Sequence, residues 1–198
     1  MARPSVAPER RKQIIWALYD CLSKNGHETV SIKTIAKAAD LPPGVIHYYF
    51  EKKDDIVSGL AQAIVDKYSS DMEERLTSVK SGRERIEILL DFVVEELIFN
   101  EPLNRAFYNL IQMAFERSDL RRVIKEMFID YRSRLATVFE EAGAGDVSRS
   151  LGAALVAVAE GFALQWMVDP DVLEPEQVRR MVAAALADRL PARLRPRL

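Results

Sequence analysis

Apolar residues recur at helical spacing along almost the whole chain. In the first predicted helix they are Ile14, Ala17, Leu18, Cys21 and Leu22, which share one face of a repeat of 3.6 residues. No stretch shows the sustained apolar and polar alternation, bounded by turn residues, that indicates a strand. The pattern therefore predicts an all-α protein with helices near residues 7–25, 31–39, 43–50, 54–76, 83–99, 102–116, 120–142, 147–168 and 174–190.

The breaks between the first three helices carry specific turn chemistry. We expect Gly26 to end the first helix in the left-handed conformation, and Ser31 to cap the second with its hydroxyl. The run Leu41-Pro42-Pro43-Gly44 must interrupt the helix, because proline lacks a backbone donor and excludes its predecessor from the α region. Two short helices joined by a tight turn are typical of the helix-turn-helix, whose second helix enters the major groove of DNA.

Composition and charge narrow the class of protein. The only cysteine, Cys21, cannot form an internal disulfide, which favours a reducing, cytoplasmic setting. Residues 1–53 carry nine Lys and Arg against five Asp and Glu, a net charge of +4, whereas the whole chain carries -2. A basic N-terminal part on an acidic body indicates that the first fifty or so residues meet a polyanion. Neither the start, Met1 to Ser5, nor apolar runs such as 153–159 indicate secretion or membrane insertion.

The segment from Ser31 to Ile56 resembles the DNA-binding signature of TetR-like (TetR/AcrR-type) transcriptional regulators. The most diagnostic part is a glycine-containing recognition helix that closes in Tyr48-Tyr49-Phe50 and is followed by lysines and acids. Three departures stand out: Asp40 replaces the usual glycine, Pro42-Pro43 replaces a more polar turn, and Glu51 replaces a common lysine. Because Asp tolerates the left-handed conformation, we expect the turn to survive.

The resemblance implies two functional parts and a tail. Residues 1–53 would form a three-helix helix-turn-helix domain, and residues 54–190, joined to it by the long fourth helix, a larger helical domain that binds a ligand and dimerises. Residues 191–198 are expected to be a flexible tail that frays or forms an exposed coil. A looser match, from Glu160 to Trp166 and on to Glu176, resembles the C-terminal domains of such regulators.

The candidate DNA contacts lie on and around the predicted recognition helix. Lysines suit phosphates, aromatic and hydroxyl groups suit phosphates or bases, and small residues allow close backbone approach. Ile46 and Phe50, one turn apart, should instead pack into the core. Three alternatives remain. Ser31 can serve only as a helix cap, Tyr49 can pack against the core, and the lysines can simply be solvated. The candidates are Ser31, Lys33, Thr34, Pro43, Gly44, Val45, His47, Tyr48, Tyr49, Lys52 and Lys53.

Catalytic chemistry finds little support in the sequence. The two histidines, His27 and His47, are not at metal-ligand spacing, and no phosphate-binding glycine loop or nucleophile elbow occurs. We therefore expect no enzyme activity, no catalytic residues, no metal and no cofactor. The alternative hypothesis is a helical small-molecule enzyme or binding protein that retains a vestigial helix-turn-helix.

The family resemblance implies an effector cavity in the C-terminal part. Aromatic and sulfur side chains recur there, although such residues are more often ordinary core. We expect a small, largely apolar molecule to release a repressor from a palindromic operator, with the fourth helix transmitting the change. The candidate lining residues are Phe92, Phe107, Met113, Phe128, Tyr131, Glu160, Phe162 and Trp166, and polar side chains that can orient a ligand are Arg105, Asn109, Gln112, Glu160 and Gln165.

The last two predicted helices suggest a homodimer. Small residues recur at i, i+4 and i+8 on one helix and would allow another helix to approach closely, and the last helix has a broad apolar face. Packing within one subunit is the alternative. The candidate interface residues are Ala153, Ala157, Gly161, Val178, Met181, Val182, Ala185 and Leu186.

Overall fold

The computed structural model describes residues 7–197. The expectations that concern Met1 to Ser5, including the charge of Arg3, and the last residue, Leu198, lie outside the described residues. Within this range the chain forms α-helices, short 3-10 turns and one π-helical segment, with no strand. The prediction of an all-α fold is confirmed. The nine α-helices of the described range are α1 Ala7–Lys24, α2 Ile32–Ala38, α3 Pro43–Tyr49, α4 Lys53–Leu76, α5 Gly82–Phe92, α6 Glu101–Glu116, α7 Ser118–Glu141, α8 Ser148–Val168 and α9 Pro175–Ala187.

The described residues divide into two compact units. Unit 1 contains the chain up to residue 64 together with residues 105–127, and unit 2 contains residues 65–104 and those from 128 onward. The division falls within α4, α6 and α7. The functional boundary expected after residue 53 remains a prediction, since the start of α4 belongs to the same compact unit as α1 to α3.

Unit 1 is organised around the apolar face of α1. Ile14, Leu18 and Leu22 are fully buried, as are Ile35 of α2 and Ile46 of α3. These residues stand where the helical repeat places them, and α1 contacts both α2 and α3. We call α1, α2 and α3 with their connecting turns the head.

Unit 2 packs α8 against the segment Val93–Ile98 and against α9. An added Cβ at Gly152 of α8 would lie 2.8 Å from the carbonyl oxygen of Arg132 in α7, so only glycine permits this close helix crossing. Arg179 of α9 binds two carboxylates of α5, at 2.6 Å from Glu87 and also at Asp91. The last helix is therefore fixed to α5 by charge as well as by apolar contacts.

Gly26 does not adopt the left-handed conformation predicted for it. Its φ of -68° and ψ of 149° are extended, and it precedes a 3-10 turn, His27–Thr29. The side-chain amide of Asn109 donates to the carbonyl oxygens of Leu22 at 2.9 Å and of Asn25 at 3.2 Å. Because α6 supplies donors to these terminal carbonyls, α1 needs no left-handed glycine cap.

The predicted helix over residues 83–99 is not uniform. It is α-helical over Gly82–Phe92 and π-helical over Val93–Ile98. The buried side-chain amide of Asn104 donates to the carbonyl oxygens of Leu97 at 3.1 Å and Ile98 at 2.8 Å. Asn104 thus supplies partners for carbonyls at the end of the π-helical segment, which helix periodicity alone does not reveal.

The prediction of an exposed coil after residue 190 is wrong for residues 191–197. A 3-10 turn forms at Ala192–Leu194, and Leu194 and Pro196 are buried. Arg193 donates to the carbonyl oxygen of Gly143 at 2.8 Å, and the backbone amide of Arg197 donates to the Glu87 carboxylate at 2.7 Å. Apolar burial and long-range hydrogen bonds therefore dock this segment within unit 2.

Candidate DNA-binding head and effector unit

The scaffold of the predicted helix-turn-helix begins with a complete capping box. The backbone amide of Thr34 donates to the Ser31 hydroxyl at 3.2 Å, and the backbone amide of Ser31 donates to the Thr34 hydroxyl at 2.8 Å. Two otherwise unpaired donors are thereby satisfied. The predicted capping role of Ser31 is confirmed, and Ser31, Lys33 and Thr34 are all exposed.

The turn between α2 and α3 forms despite its unusual sequence. Asp40 has a φ of +52°, the left-handed conformation that its side chain was expected to tolerate. Leu41 then donates its amide to the carbonyl oxygen of Ala36 at 2.9 Å. Pro42 is the N-cap of α3 and Pro43 its first residue, where a missing donor carries no cost.

Helix α3 has one buried side and one exposed side. Ile46 and Phe50 are 0% and 3% exposed, which confirms their predicted packing role. Pro43, Gly44 and His47 are exposed, and Tyr48, at 82%, is the most exposed large hydrophobic side chain of the described residues. Val45 and Tyr49 are half-buried, and the Tyr48 and Tyr49 rings pack edge to face with centroids 5.0 Å apart.

The two lysines after α3 differ in their surroundings. Lys52 is exposed, whereas the Lys53 ammonium donates to the carbonyl oxygen of Val30 at 2.9 Å. An ammonium has three donors. Lys53 can therefore bind a phosphate while it holds the Val30 backbone, and its removal would affect the fold of the head as well as its charge.

Two side chains of α1 that the sequence did not single out contact the ends of α2 and α3. The Gln13 amide donates to the carbonyl oxygen of Ala39 at 2.7 Å, and the Arg11 guanidinium donates to that of Tyr49. Both residues stand next to the apolar stripe of α1 in a strongly polar run. Sequence offers no signal for such contacts, because side chains this polar are usually solvated.

Asn109 of α6 is bound to the head. Besides donating to two carbonyls at the end of α1, it accepts a hydrogen bond from the backbone amide of His27 at 2.8 Å. The His27 ring nitrogen lies 3.1 Å from the Glu116 carboxylate, also on α6. The Asn109 side chain is engaged in these contacts, and its role in orienting an effector stays a prediction.

The predicted effector residues fall into a buried set and an accessible set. Phe92 is 2% exposed, and Phe107 and Met113 of unit 1 are similarly buried, which fits the alternative that they are ordinary core. The partly accessible residues all belong to unit 2, where the Trp166 ring packs edge to face on Phe99 with centroids 5.2 Å apart. They are Phe128, Tyr131, Glu160, Phe162 and Trp166.

Glu160 is the chemically distinctive member of this accessible set. Burial raises the pKa of its carboxyl to about 7, because desolvation disfavours the charged form. A carboxyl that titrates near neutral pH can either donate or accept a hydrogen bond. Glu160 is therefore a polar group, on an otherwise apolar stretch of α8, whose ionisation changes with pH around neutrality.

A groove of about 250 Å³ lies within unit 1, between α4 and α7. Its lining is mixed and includes the opposite charges of Arg122 and Glu126. The residues that line it are Ser58, Ala61, Gln62, Arg122, Val123, Glu126 and Met127, a set distinct from the predicted effector residues.

The predicted dimer residues also separate into two groups. Val178, Val182 and Leu186 are 0% exposed within the single chain, so the prediction that they form an interface is wrong and the alternative, packing within one subunit, holds for them. Ala153, Ala157, Gly161 and Ala185 are exposed, and Met181 is half-buried. The small-residue stripe of α8 is thus available to a partner.

The surface of α8 is unusually apolar. Within the described residues, the stretch from Gly145 to Val168 is the one helix long and apolar enough to cross a bilayer on length and composition alone. An 18-residue window of this stretch has a mean hydropathy of 1.6, yet only 33% of that window is buried inside the chain. Leu164 and Val168 remain 53% and 79% exposed. A core helix would be mostly buried, so α8 presents an apolar face that this chain alone does not cover.

Comparison with known families decides the classification. Residues 14–60 match the model of the bacterial regulatory proteins of the tetR family, and residues 82–191 match that of the BetI-type transcriptional repressor C-terminal domain. The chain belongs to the TetR family. It is a TetR-family transcriptional regulator, and both the head and the helical remainder carry the family match, as the resemblance predicted.

Relatives of this TetR-family chain cover about nine-tenths of its length. The HTH-type transcriptional regulator BetI 1 of Chromohalobacter salexigens is 24% identical over 182 residues, covering 91% of this chain and 90% of that protein. A transcriptional regulator from Saccharomonospora viridis in complex with choline has a TM-score of 0.73 at 16% identity, over 90% of this chain and 96% of that one. FadR of Bacillus subtilis in complex with stearoyl-CoA has a TM-score of 0.70 at 20% identity, over 90% and 97%. At these identities the structural likeness shows the fold.

Proposed function

We propose that this chain is a homodimeric, cytoplasmic repressor that a small, largely apolar molecule releases from a near-palindromic operator. One observation carries the proposal. The recognition helix is anchored by fully buried Ile46 and presents Tyr48, 82% exposed, to solvent. A large aromatic side chain left in water at this position is best explained by a nucleic-acid partner.

The proposed DNA surface combines the outer side of α3 with the start of α2 and with Lys52 and Lys53 at the start of α4. His47 and Tyr48 would reach base edges or phosphates, and Gly44 lets the backbone approach the groove wall closely. Lys33, Lys52 and the remaining donors of Lys53 would neutralise phosphates. Ser31, Thr34, Pro43, Val45 and Tyr49 complete the proposed surface.

The proposed effector site lies among the accessible residues of unit 2. Phe128, Tyr131, Phe162 and Trp166 supply apolar surface, and Glu160 supplies one polar group. The two structural relatives described above hold ligands as different as choline and stearoyl-CoA, so the fold alone does not set the effector. A ligand that lowers operator affinity must itself bind the DNA-bound protein more weakly by the same factor.

The proposed dimer rests on the uncovered face of α8. Ala153, Ala157 and Gly161 would let the same helix of a second copy approach closely, and Leu164 and Val168 would lose their contact with water. A second copy can cover this face without a bilayer. Met181 and Ala185 of α9 can extend the contact.

A gel shift at graded salt concentrations, with DNA from upstream of the protein's own gene and a scrambled duplex of equal length, tests the proposal. We expect a discrete complex on the upstream DNA that survives excess scrambled competitor. The logarithm of the binding constant should fall linearly with the logarithm of the salt concentration, because phosphate contacts release counterions. Equal and weak retention of both duplexes would instead favour a helical small-molecule enzyme or binding protein with a vestigial helix-turn-helix.

A further inference from the structure

The two helices of the predicted helix-turn-helix end in carbonyl groups that α1 side chains bind. The Gln13 amide donates to the carbonyl oxygen of Ala39, the C-cap of α2, at 2.7 Å. The Arg11 guanidinium donates to the carbonyl oxygen of Tyr49, the last residue of α3. Arg10 in turn donates to the Gln13 side-chain oxygen at 2.7 Å, which orients the Gln13 amide toward Ala39.

Helix α3 depends on such contacts because it is short. It has seven residues, about two turns, and helices of that length are not stable by themselves in water. The final carbonyl groups of a helix lack partners within it, and the negative end of the helix dipole favours a cation. Arg11 supplies both the donor and the positive charge at this end.

Arg11 also contacts the residue that follows α3. The carbon at the centre of its guanidinium lies 4.1 Å from the centroid of the Phe50 ring, in cation–π geometry. Phe50 is 3% exposed and belongs to the core of unit 1. Arg11 therefore binds the end of α3 at two points, one on the backbone of Tyr49 and one on a buried ring.

We propose that Arg11 is the positioning residue of the recognition helix: by binding Tyr49 and Phe50 it fixes the angle at which α3 presents His47 and Tyr48 to DNA. The inference rests on the proposed DNA-binding function and adds a determinant of specificity outside the helix-turn-helix. Base edges are recognised by directional contacts, whereas phosphate contacts mainly set affinity and register. A change in the angle of α3 should thus weaken binding to the operator more than binding to random DNA.

The test compares Arg11→Ala, Arg11→Lys and the control Lys12→Ala. Lys12 is the exposed neighbour of Arg11 on the same helix, so its variant removes the same charge without removing the contacts to Tyr49 and Phe50. Binding is measured by fluorescence anisotropy on a duplex that the wild-type protein selects from a random library, and on a scrambled duplex. Thermal unfolding of each variant is followed by circular dichroism.

We expect Arg11→Ala to reduce the ratio of specific to random affinity by about tenfold or more, within the range that lost base contacts produce. Lys12→Ala should lower both affinities by a similar factor and leave that ratio unchanged. Arg11→Lys should restore part of the ratio, because it keeps the charge and a donor but loses the planar fork. Should Arg11→Ala fail to fold, Arg11→Lys, which loses the planar fork, provides the same comparison against Lys12→Ala.

The outcomes separate this inference from the proposed function. If the wild-type protein selects no sequence, the proposed function fails. If the wild-type protein discriminates and Arg11→Ala discriminates equally well, with or without a lower melting temperature, Arg11 is only structural and the inference is overturned.

Discussion

The raised pKa of Glu160 makes the stability of this protein depend on pH in a definite direction. Its carboxyl has a pKa of about 7 in the folded chain against an ordinary value of 4.5. Well below pH 4.5 the Glu160 carboxyl is protonated in both the folded and the unfolded chain, so its burial does not lower the free energy of unfolding. As the pH rises toward 7 the unfolded chain releases this proton first, so the folded state loses stability, and the loss is complete once the folded carboxyl ionises as well.

The size of the effect follows from the difference between the two pKa values. One pKa unit corresponds to about 1.4 kcal/mol, so the free energy of unfolding should fall by at most about 3 kcal/mol between pH 4.5 and pH 8. Replacement of Glu160 by Gln keeps the shape and removes the titration. The variant should match the wild-type protein near pH 4.5 and exceed its stability at pH 8 by up to that amount.

Urea unfolding at pH 4.5, 6, 7 and 8, followed by circular dichroism at one protein concentration, measures this difference. The fixed concentration matters because a dimer is stabilised by mass action. Glu140→Gln is the matched control, since Glu140 is an exposed glutamate of α7 and its replacement should have no comparable pH dependence. If Glu160→Gln changes stability by the same amount at every pH, burial does not raise the pKa of the Glu160 carboxyl.

Further variants test the DNA contacts, the α8 interface and the contacts of Asn109. Lys52→Ala should weaken binding to all DNA and flatten the salt dependence of the affinity. Lys33→Ala should change discrimination between sequences by about 1–3 kcal/mol, as expected for a contact with a base edge. Equal losses of affinity on all DNA for Lys33→Ala would refute that base contact. Ala157→Glu places a charge on an exposed position and should yield a folded monomer by light scattering, while a dimer of unchanged mass would refute the proposed α8 interface. Asn109→Ala leaves backbone groups at the end of α1 unpaired. In urea titrations it should lower the free energy of unfolding by about 1–3 kcal/mol. If it lowers that free energy no more than the exposed control Gln112→Ala does, the contact is weak.

Much of the head could be predicted from sequence because its determinants are local. Ser31 caps the helix that follows it, Asp40 tolerates the left-handed turn, and the spacing of Ile46 and Phe50 selects the buried side of α3. Each depends on residues within one or two turns. The family resemblance then supplied the function that such local patterns alone leave open.

The remainder could not be predicted because distant groups determine it. Gly26 stays extended since Asn109, more than eighty residues away, satisfies the end of α1. The π-helical segment depends on the buried amide of Asn104. Val182 shows that sequence cannot assign an interface. An apolar face on a last helix is compatible with burial within the chain and with burial against a partner. The structure resolves this, because Val182 is 0% exposed within the single chain.

Hydroxyl-radical footprinting of the wild-type protein on DNA from upstream of its own gene shows whether the two heads of a dimer read a symmetric operator. We expect two protected half-sites of inverted sequence whose centres lie one helical turn, roughly 34–36 Å, or a multiple of it, apart. Tyr48→Ala should abolish or weaken both protections together. Protection of a single site without symmetry, or of no defined sequence, would refute a dimer that reads a symmetric operator.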